Sequence, residues 1–264
     1  MGYRHGLLTL LLSTTVLGAA TTPELPPLRL VIGETKPPYV LAAERRGIEY
    51  DLLTAALDSA GYRPLVSFAP NKQAQLQLAA GQADAVISNS GGFLSDPYIA
   101  YKNAAISLCR NKLRIHKVPE LDRYRVASFH NAQRYLGPEF AAMAARNPDY
   151  IERSPQIILN RLLYSGRVDV AISDINIFQH FTAQLDPRLD TRQPLCFHSL
   201  FPPTLYRLAF RDQTARDRFN RALRQILRGD FYETLAQRYR LPMENGRPYF
   251  KPPEVGASEA DKSK

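Results

Sequence analysis

The segment LAAGQADAVISN at Leu78 to Asn89 returns as LYSGRVDVAISD at Leu163 to Asp174. Both share a skeleton of Leu, Gly, Asp, two small apolar residues, Ile, Ser and a final Asn or Asp. Asp84 and Asp169 stand too far apart for the roughly 20–50-residue period of a solenoid. The repetition predicts two similar lobes in one chain.

Each copy has a local physical reading. In SPQIILNRLLYSG, Ser154 is the expected N-cap, Pro155 falls in the first turn, Leu and Ile form a stripe, and Gly166 is the stop. VDVAIS then reads as a short strand covered on both faces. Helix, tight turn and buried strand make half of a parallel α/β unit. Ligands of such sheets bind beyond the carboxyl ends of the strands, where Asn89 and Asp174 are expected, one per lobe.

With 264 residues and 45% hydrophobic content, the chain can bury the cores of two lobes. MGYRHGLLTLLLSTTVLGAA, residues 1–20, has the short basic start, apolar stretch and small-residue end of a secretory signal peptide. Its apolar run falls short of the ~20 residues of a spanning helix. No Cys follows it to carry a lipid anchor. The net charge of +9 raises nucleic acid as a partner, but the basic residues are dispersed and an exported chain argues against it. The densest group, Arg216, Arg218, Arg221, Arg224 and Arg228, surrounds an apolar stripe of Phe219, Leu223, Ile226 and Leu227 and reads as the solvated face of a helix. After export, Cys109 and Cys196 would meet an oxidising compartment, where a disulfide and two buried thiols both remain open.

Along the chain, LRLVIGE reads as a first strand, GIEYDLLTAALDSAGY as a helix, PLVSF as a second strand and NKQAQLQLAAG as a second helix. SDPYIAYKNAAISLCRNK is extended, and a second α/β series starts at YRVASF. LCFHSLFPPTLYRLAF is extended again, followed by two closing helices. Two extended segments flanking the second series imply a chain that crosses into lobe two and returns, a clamshell able to close on a small ligand.

These segments resemble the bacterial periplasmic solute-binding proteins of the amino-acid type (family 3), over about Leu28 to Leu241. GIEYDLL is similar to that family's Gly-Phe-Asp-Val-Asp-Leu motif, LAAGQADAVIS to its Leu-Gln-x-Gly-x-Val-Asp strand, LSDPY to its hinge segment, and LYSGRVDVAISD to its lobe-two motif. The resemblance implies a two-lobed α/β fold of the type II periplasmic-binding-protein class with a two-strand hinge at Tyr98 and Leu205. Lobe one is then 26–98 and 206–245, lobe two 99–205, and 246–264 a flexible tail. It also implies a monomeric periplasmic protein that closes on a small polar ligand and delivers it to an ABC-type permease or a receptor. No cofactor, metal or nucleic acid is implied. The strands entering and leaving lobe two would run antiparallel, with Cys109 and Cys196 at similar depth from the hinge, so that the two can pair.

Asp174 matches the family carboxylate that holds a ligand ammonium. The lobe-one arginine that grips a ligand carboxylate has no counterpart in SNSGGFLSDPY, leaving Lys36, Lys72 and Arg134 as substitutes. The resemblance therefore implies an amine-bearing ligand, with altered specificity. Expected site residues are Glu34, Lys36 and Tyr39 after the first strand; Asn71, Asn89, Ser90 and Gly91 on the lobe-one rim; and Phe129, His130, Asn131 and Asp174 in lobe two. His130 with Glu34 and Asp174 also contains the groups for acid–base chemistry, as in periplasmic cyclic amino-acid dehydratases of this fold. No nucleophile-elbow or zinc-protease motif supports an enzyme, and binding, or ligand sensing without transport, is the simpler expectation.

Overall fold

The computed structural model describes residues 24–253, so the expected signal peptide and the end of the tail lie outside the described residues. The chain begins with β1 (Pro27–Ile32), α1 (Ile48–Ser59), β2 (Arg63–Phe68), α2 (Asn71–Ala79), β3 (Ala85–Ile87) and β4 (Phe93–Leu94). Two strands lead onward, β5 (Ile99–Tyr101) and β6 (Asn103–Leu108). The second series is β7 (Val126–Phe129), α3 (Ala132–Tyr135), α4 (Pro138–Arg146), β8 (Tyr150–Arg153), α5 (Ile157–Tyr164), β9 (Val170–Asp174) and α6 (Ile175–Thr182). The return consists of β10 (Leu195–His198), β11 (Thr204–Tyr206) and β12 (Leu208–Phe210). Then come α7 (Gln213–Arg228), α8 (Phe231–Arg238) and a terminal hairpin, β13 (Met243–Glu244) and β14 (Arg247–Pro248).

The two sheets follow one plan. The first has the order β2-β1-β3-β12-β4, with β1 parallel to β2 and β3, and β12 antiparallel to β3. The second, read from its far edge, is β8-β7-β9-β6-β10, with β7 parallel to β8 and β9, and β6 antiparallel to β9. Between them β5 and β11 form a separate antiparallel pair, Ala100 opposite Leu205, which is the two-strand hinge.

The repeated aspartates serve these sheets. Arg29 donates to Asp84 through its backbone N–H, Nε and Nη2 at 2.8–2.9 Å. Arg125 does the same to Asp169 at 2.7–3.1 Å. In both lobes an arginine on the first strand's line clamps the aspartate that leads into its parallel neighbour.

The helix α1 and the closing helices bury apolar residues from the stripes their spacing predicts. Leu52, Leu53, Ala56 and Leu57 of α1 are buried in the lobe-one core together with Phe219 and Leu223 of α7 and Tyr232 and Leu235 of α8. The closing helices thus belong to lobe one. Asp212 caps α7 by accepting from the Ala215 N–H. In α5 the expectation is corrected: Gln156 is the N-cap, and Ser154 lies exposed ahead of the helix without a capping bond. The helix begins at Ile157 and buries Leu159 and Leu163 on its core side.

The expected loose tail is corrected for residues 246–253. Phe250 is fully buried in the lobe-one core, its carbonyl accepts from the Ala100 N–H of the hinge, and Tyr249 packs on Phe197 of lobe two. An aromatic side chain with a core slot overrides the Pro-rich composition of the segment. Cys109 and Cys196 are joined by a disulfide across the β6–β10 edge, with Cα atoms 5.0 Å apart.

Candidate functional site: the cleft at the hinge

The lobe-one wall is built by the loop after β1. Lys36 and Val40 exchange backbone hydrogen bonds of 2.8 and 2.9 Å, closing a tight turn over Pro37 and Pro38. The carbonyls of Pro38 and Tyr39 accept the N–H groups of Ile48 and Glu49, two donors that the first turn of α1 would otherwise leave unpaired. So close an approach requires Gly47, at φ 125°, because a Cβ there would overlap the Tyr39 carbonyl. Helix and turn therefore fix each other, and Lys36 leaves the turn at a defined place. Its Nζ lies 4.9 Å from the centroid of the Tyr101 ring and 5.9 Å from that of Tyr206, one tyrosine from each hinge strand, within cation–π range.

Behind these rings the polar groups are buried. Tyr39 is fully buried and stacks on Tyr101 with centroids 3.9 Å apart. Glu49, 4% exposed, accepts from the Tyr98 hydroxyl at 3.0 Å. Burial pushes its carboxyl upward, against the pull of the Lys36 charge and the Tyr98 hydroxyl.

Across the cleft, Asp174 ends β9 and caps α6. Its Oδ1 accepts from the Asn176 and Ile177 N–H groups at 3.0 Å and from the Tyr39 hydroxyl at 3.0 Å; its Oδ2 accepts from the Lys102 N–H at 2.9 Å. A carboxylate has about four acceptor sites, and this one is 3% exposed with four donors. Desolvation raises its pKa to about 6 despite those donors, the backbone N–H of Ile177 foremost. Asp174 is thus a structural link between the lobes, with three donors on Oδ1 and one on Oδ2, and it borders the cavity while almost fully buried.

A cavity of about 400 Å³ lies between the lobes. Lys36 and Asn71 line it from lobe one, Phe129, Tyr135, Gln156, Asp174 and Ile177 from lobe two, and Tyr101, Asn103, Thr204 and Tyr206 from the hinge strands and the start of β6. A second part of about 330 Å³ continues along lobe one between Glu34, Lys36, Glu49 and Asn71, also against Tyr206. Of the expected residues, Glu34, Lys36, Asn71, Phe129 and Asp174 line these spaces, and Tyr39 lies beneath them.

Asn89, Ser90 and Gly91 do not. Asn89 Nδ2 donates to the Leu205 carbonyl at 2.9 Å, and Ser90 and Gly91 border a separate depression behind α2. His130 and Asn131 line neither part of the cavity. The His130 side chain is exposed, 3.9 Å from Glu152, whose carboxylate accepts from the N–H groups of Asn131 at 2.7 Å and Gln133 at 3.3 Å. The acid–base set of His130, Glu34 and Asp174 is consequently not gathered. Sequence reasoning missed Tyr101, Tyr206 and Tyr135, the last 70% exposed. The first two sit in segments read only as connections. Their signal was a tyrosine on each hinge strand, diagonal in the antiparallel pair and on the same face.

No helix of the described residues is long and apolar enough to cross a membrane, and no cluster of metal-ligating side chains occurs among them. No protein-family model and no curated protein matches the sequence. Solved structures do. The L-cystine solute receptor of Neisseria gonorrhoeae, in its unliganded open conformation, aligns with a TM-score of 0.61 at 12% identity over 81% of this chain and 92% of that one. An ancestral arginine-binding protein bound to glutamine aligns at 0.51 and 19% over 82% and 99%. A histidine kinase sensor domain with similarity to periplasmic binding proteins aligns at 0.55 and 16% over 81% and 95%. At these identities the likeness speaks for architecture, and with the two sheets and hinge described above it establishes that the chain has the two-lobed, type II periplasmic-binding-protein fold.

Proposed function

We propose that this protein is a solute-binding protein of the amino-acid-type class, exported by its first twenty residues, which closes the hinge cleft on one small polar molecule. The observation that carries the reading is the cavity lined from both lobes and both hinge strands at once. A ligand seated there would touch every part that moves in closure, so its binding energy can favour the closed form. The volume is in the range of small-molecule sites. With His130 outside the cavity and Asp174 buried among four internal donors, binding is favoured over catalysis. In this reading the protein works as a monomer and presents its ligand to a membrane permease or a receptor; the likeness to a sensor domain supports the receptor equally.

A ligand bound only by the native, closed form raises thermal stability with concentration. The test is a melting screen of the mature protein against amino acids, organic acids, polyamines and small peptides, with X-ray scattering on each hit. The reading expects a hit that also reduces the radius of gyration. A panel without hits, or hits that leave the radius unchanged, overturns it.

A further inference from the structure

The charges and rings of the cleft go further than a small polar ligand. We propose, resting on the solute-binding reading, that the cleft selects a planar, unsaturated or aromatic carboxylate that carries no ammonium group.

Charge comes first. Lys36 is the sole lysine, arginine or histidine lining either part of the cavity, and no carboxylate of the described residues lies within 4.0 Å of its ammonium. An ammonium in a cleft, held between two tyrosine faces and unpaired, is a receptor for one anion. A ligand cation finds no equivalent. In the interlobe part the lone carboxylate is Asp174, which is buried and already has four donors. Glu34 and Glu49 border the lobe-one part alone, and Glu49 is buried against Tyr98. An ammonium brought into the interlobe part would be desolvated with only the edge of a carboxylate that is 3% exposed and already engaged to meet it.

The position of the anion is also restricted. Backbone N–H groups at the turn before α3 are the other natural anion receptors of lobe two. They are occupied internally, since Asn131 and Gln133 donate to Glu152. Lys36 is left as the anchor. Lysine acts as a point charge without a fork, so orientation must come from the neighbours. Among the described residues, the side chains of Asn71 and Asn103 make no hydrogen bond, and Gln156 uses its Oε1 for Ser173 while its Nε2 is unpaired. Three amides with free donors surround the space and suit carboxylate or hydroxyl oxygens.

The walls set the shape. Four rings, Tyr101, Phe129, Tyr135 and Tyr206, line the interlobe part, with Ile177 as its one aliphatic side chain. Tyr135, 70% exposed, adds an aromatic side chain from lobe two that a flat ligand would cover on closure, and rings attract one another in offset or edge-on arrangements beyond their area. An anion at Lys36 with a flat body between Tyr206 and Tyr135 uses the free cation and the exposed rings together.

The test is titration calorimetry and melting shift at pH 7 on the mature protein. The probes are trans-cinnamate and 4-hydroxybenzoate, with cyclohexanecarboxylate as the non-planar control and benzylamine and L-phenylalanine as ammonium controls. At least one planar carboxylate is expected to bind tenfold or more tightly than all three controls. Lys36→Met should weaken it tenfold or more. Tighter or equal binding of benzylamine or L-phenylalanine overturns the proposal. So does affinity indifferent to Lys36→Met, or no heat and no shift from either planar carboxylate at millimolar concentration. Tyr206→Ala separates the two levels. A ligand of another class that is lost with Tyr206→Ala overturns the ligand class and leaves the cleft as the site. Any ligand indifferent to both Lys36→Met and Tyr206→Ala overturns the cleft itself.

Discussion

The Tyr39 hydroxyl of lobe one donates to Asp174 Oδ1 of lobe two at 3.0 Å, and Asn176 Nδ2 donates back to the same hydroxyl at 3.0 Å. All three groups are buried. Tyr39→Phe keeps the ring and its stack on Tyr101 but leaves the Asn176 amide without its acceptor. A buried polar group stripped of its partner costs about 1–3 kcal/mol. Urea unfolding of the two proteins should show a loss of that size. A midpoint unchanged by Tyr39→Phe would mean that the contact opens in solution.

The sheet-end clamps predict an acid dependence. The guanidinium of Arg29 holds the Asp84 carboxyl down at about 2, with Arg211 helping, and Arg125 holds Asp169 below its usual value. A carboxyl with a lowered folded pKa binds fewer protons than in the unfolded chain, so its contribution is present above about pH 4 and is lost as pH falls through the folded value. Asp84 is partly exposed, and screening reduces its contribution to about 1 kcal/mol. Asp84→Asn should therefore lower the melting temperature at pH 6 and flatten the fall between pH 4 and pH 2. Parallel acid profiles for the two proteins would sink the argument.

The repeat made two lobes legible because the same small, β-branched strand follows the same helix twice. The purpose of Asp84 and Asp169 was less accessible. Their partners Arg29 and Arg125 become neighbours only once β1 registers with β3 and β7 with β9. Asp174 matches a ligand-holding motif in sequence, and its further role as the N-cap of α6 is seen where β9 ends against that helix. The cleft rings were hidden for a related reason: Tyr101 and Tyr206 lie far apart in the chain and meet only across the hinge pair. Hydrophobic periodicity located α1, α5 and α7. It did not single out α4, where Phe140, Met143 and Ala144 are buried among many alanines.

The Cys109–Cys196 bond closes a separation of 87 residues. In the chain-entropy description a loop of that length stabilises by about 4.5 kcal/mol through the unfolded state. The bond ties the outer strand β10 to β6, so lobe two should carry the effect. Replacing both cysteines by alanine is expected to lower the denaturation midpoint, with amides of lobe two losing more hydrogen-exchange protection than those of lobe one. Equal loss in both lobes would show that the lobes unfold as one unit.

The C-terminal segment crosses the back of the hinge and joins both lobes. Phe250 fills a slot in the lobe-one core beside Tyr232, with ring centroids 5.9 Å apart, and its carbonyl accepts from the Ala100 N–H of β5 at 2.9 Å. Lys102, next to the hinge strand, pairs with Glu244 of the hairpin at 3.1 Å. Removing a buried phenylalanine side chain costs about 3–5 kcal/mol. Phe250→Ala should lower stability by that amount, and deletion from Gly246 onward should cost at least as much. Because the segment contacts Phe197 of lobe two as well, the deletion should also widen the range of hinge angles, seen as a larger radius of gyration for the unliganded protein. A deleted chain as stable as the full one, with an unchanged radius, would return the segment to the role of a loose tail.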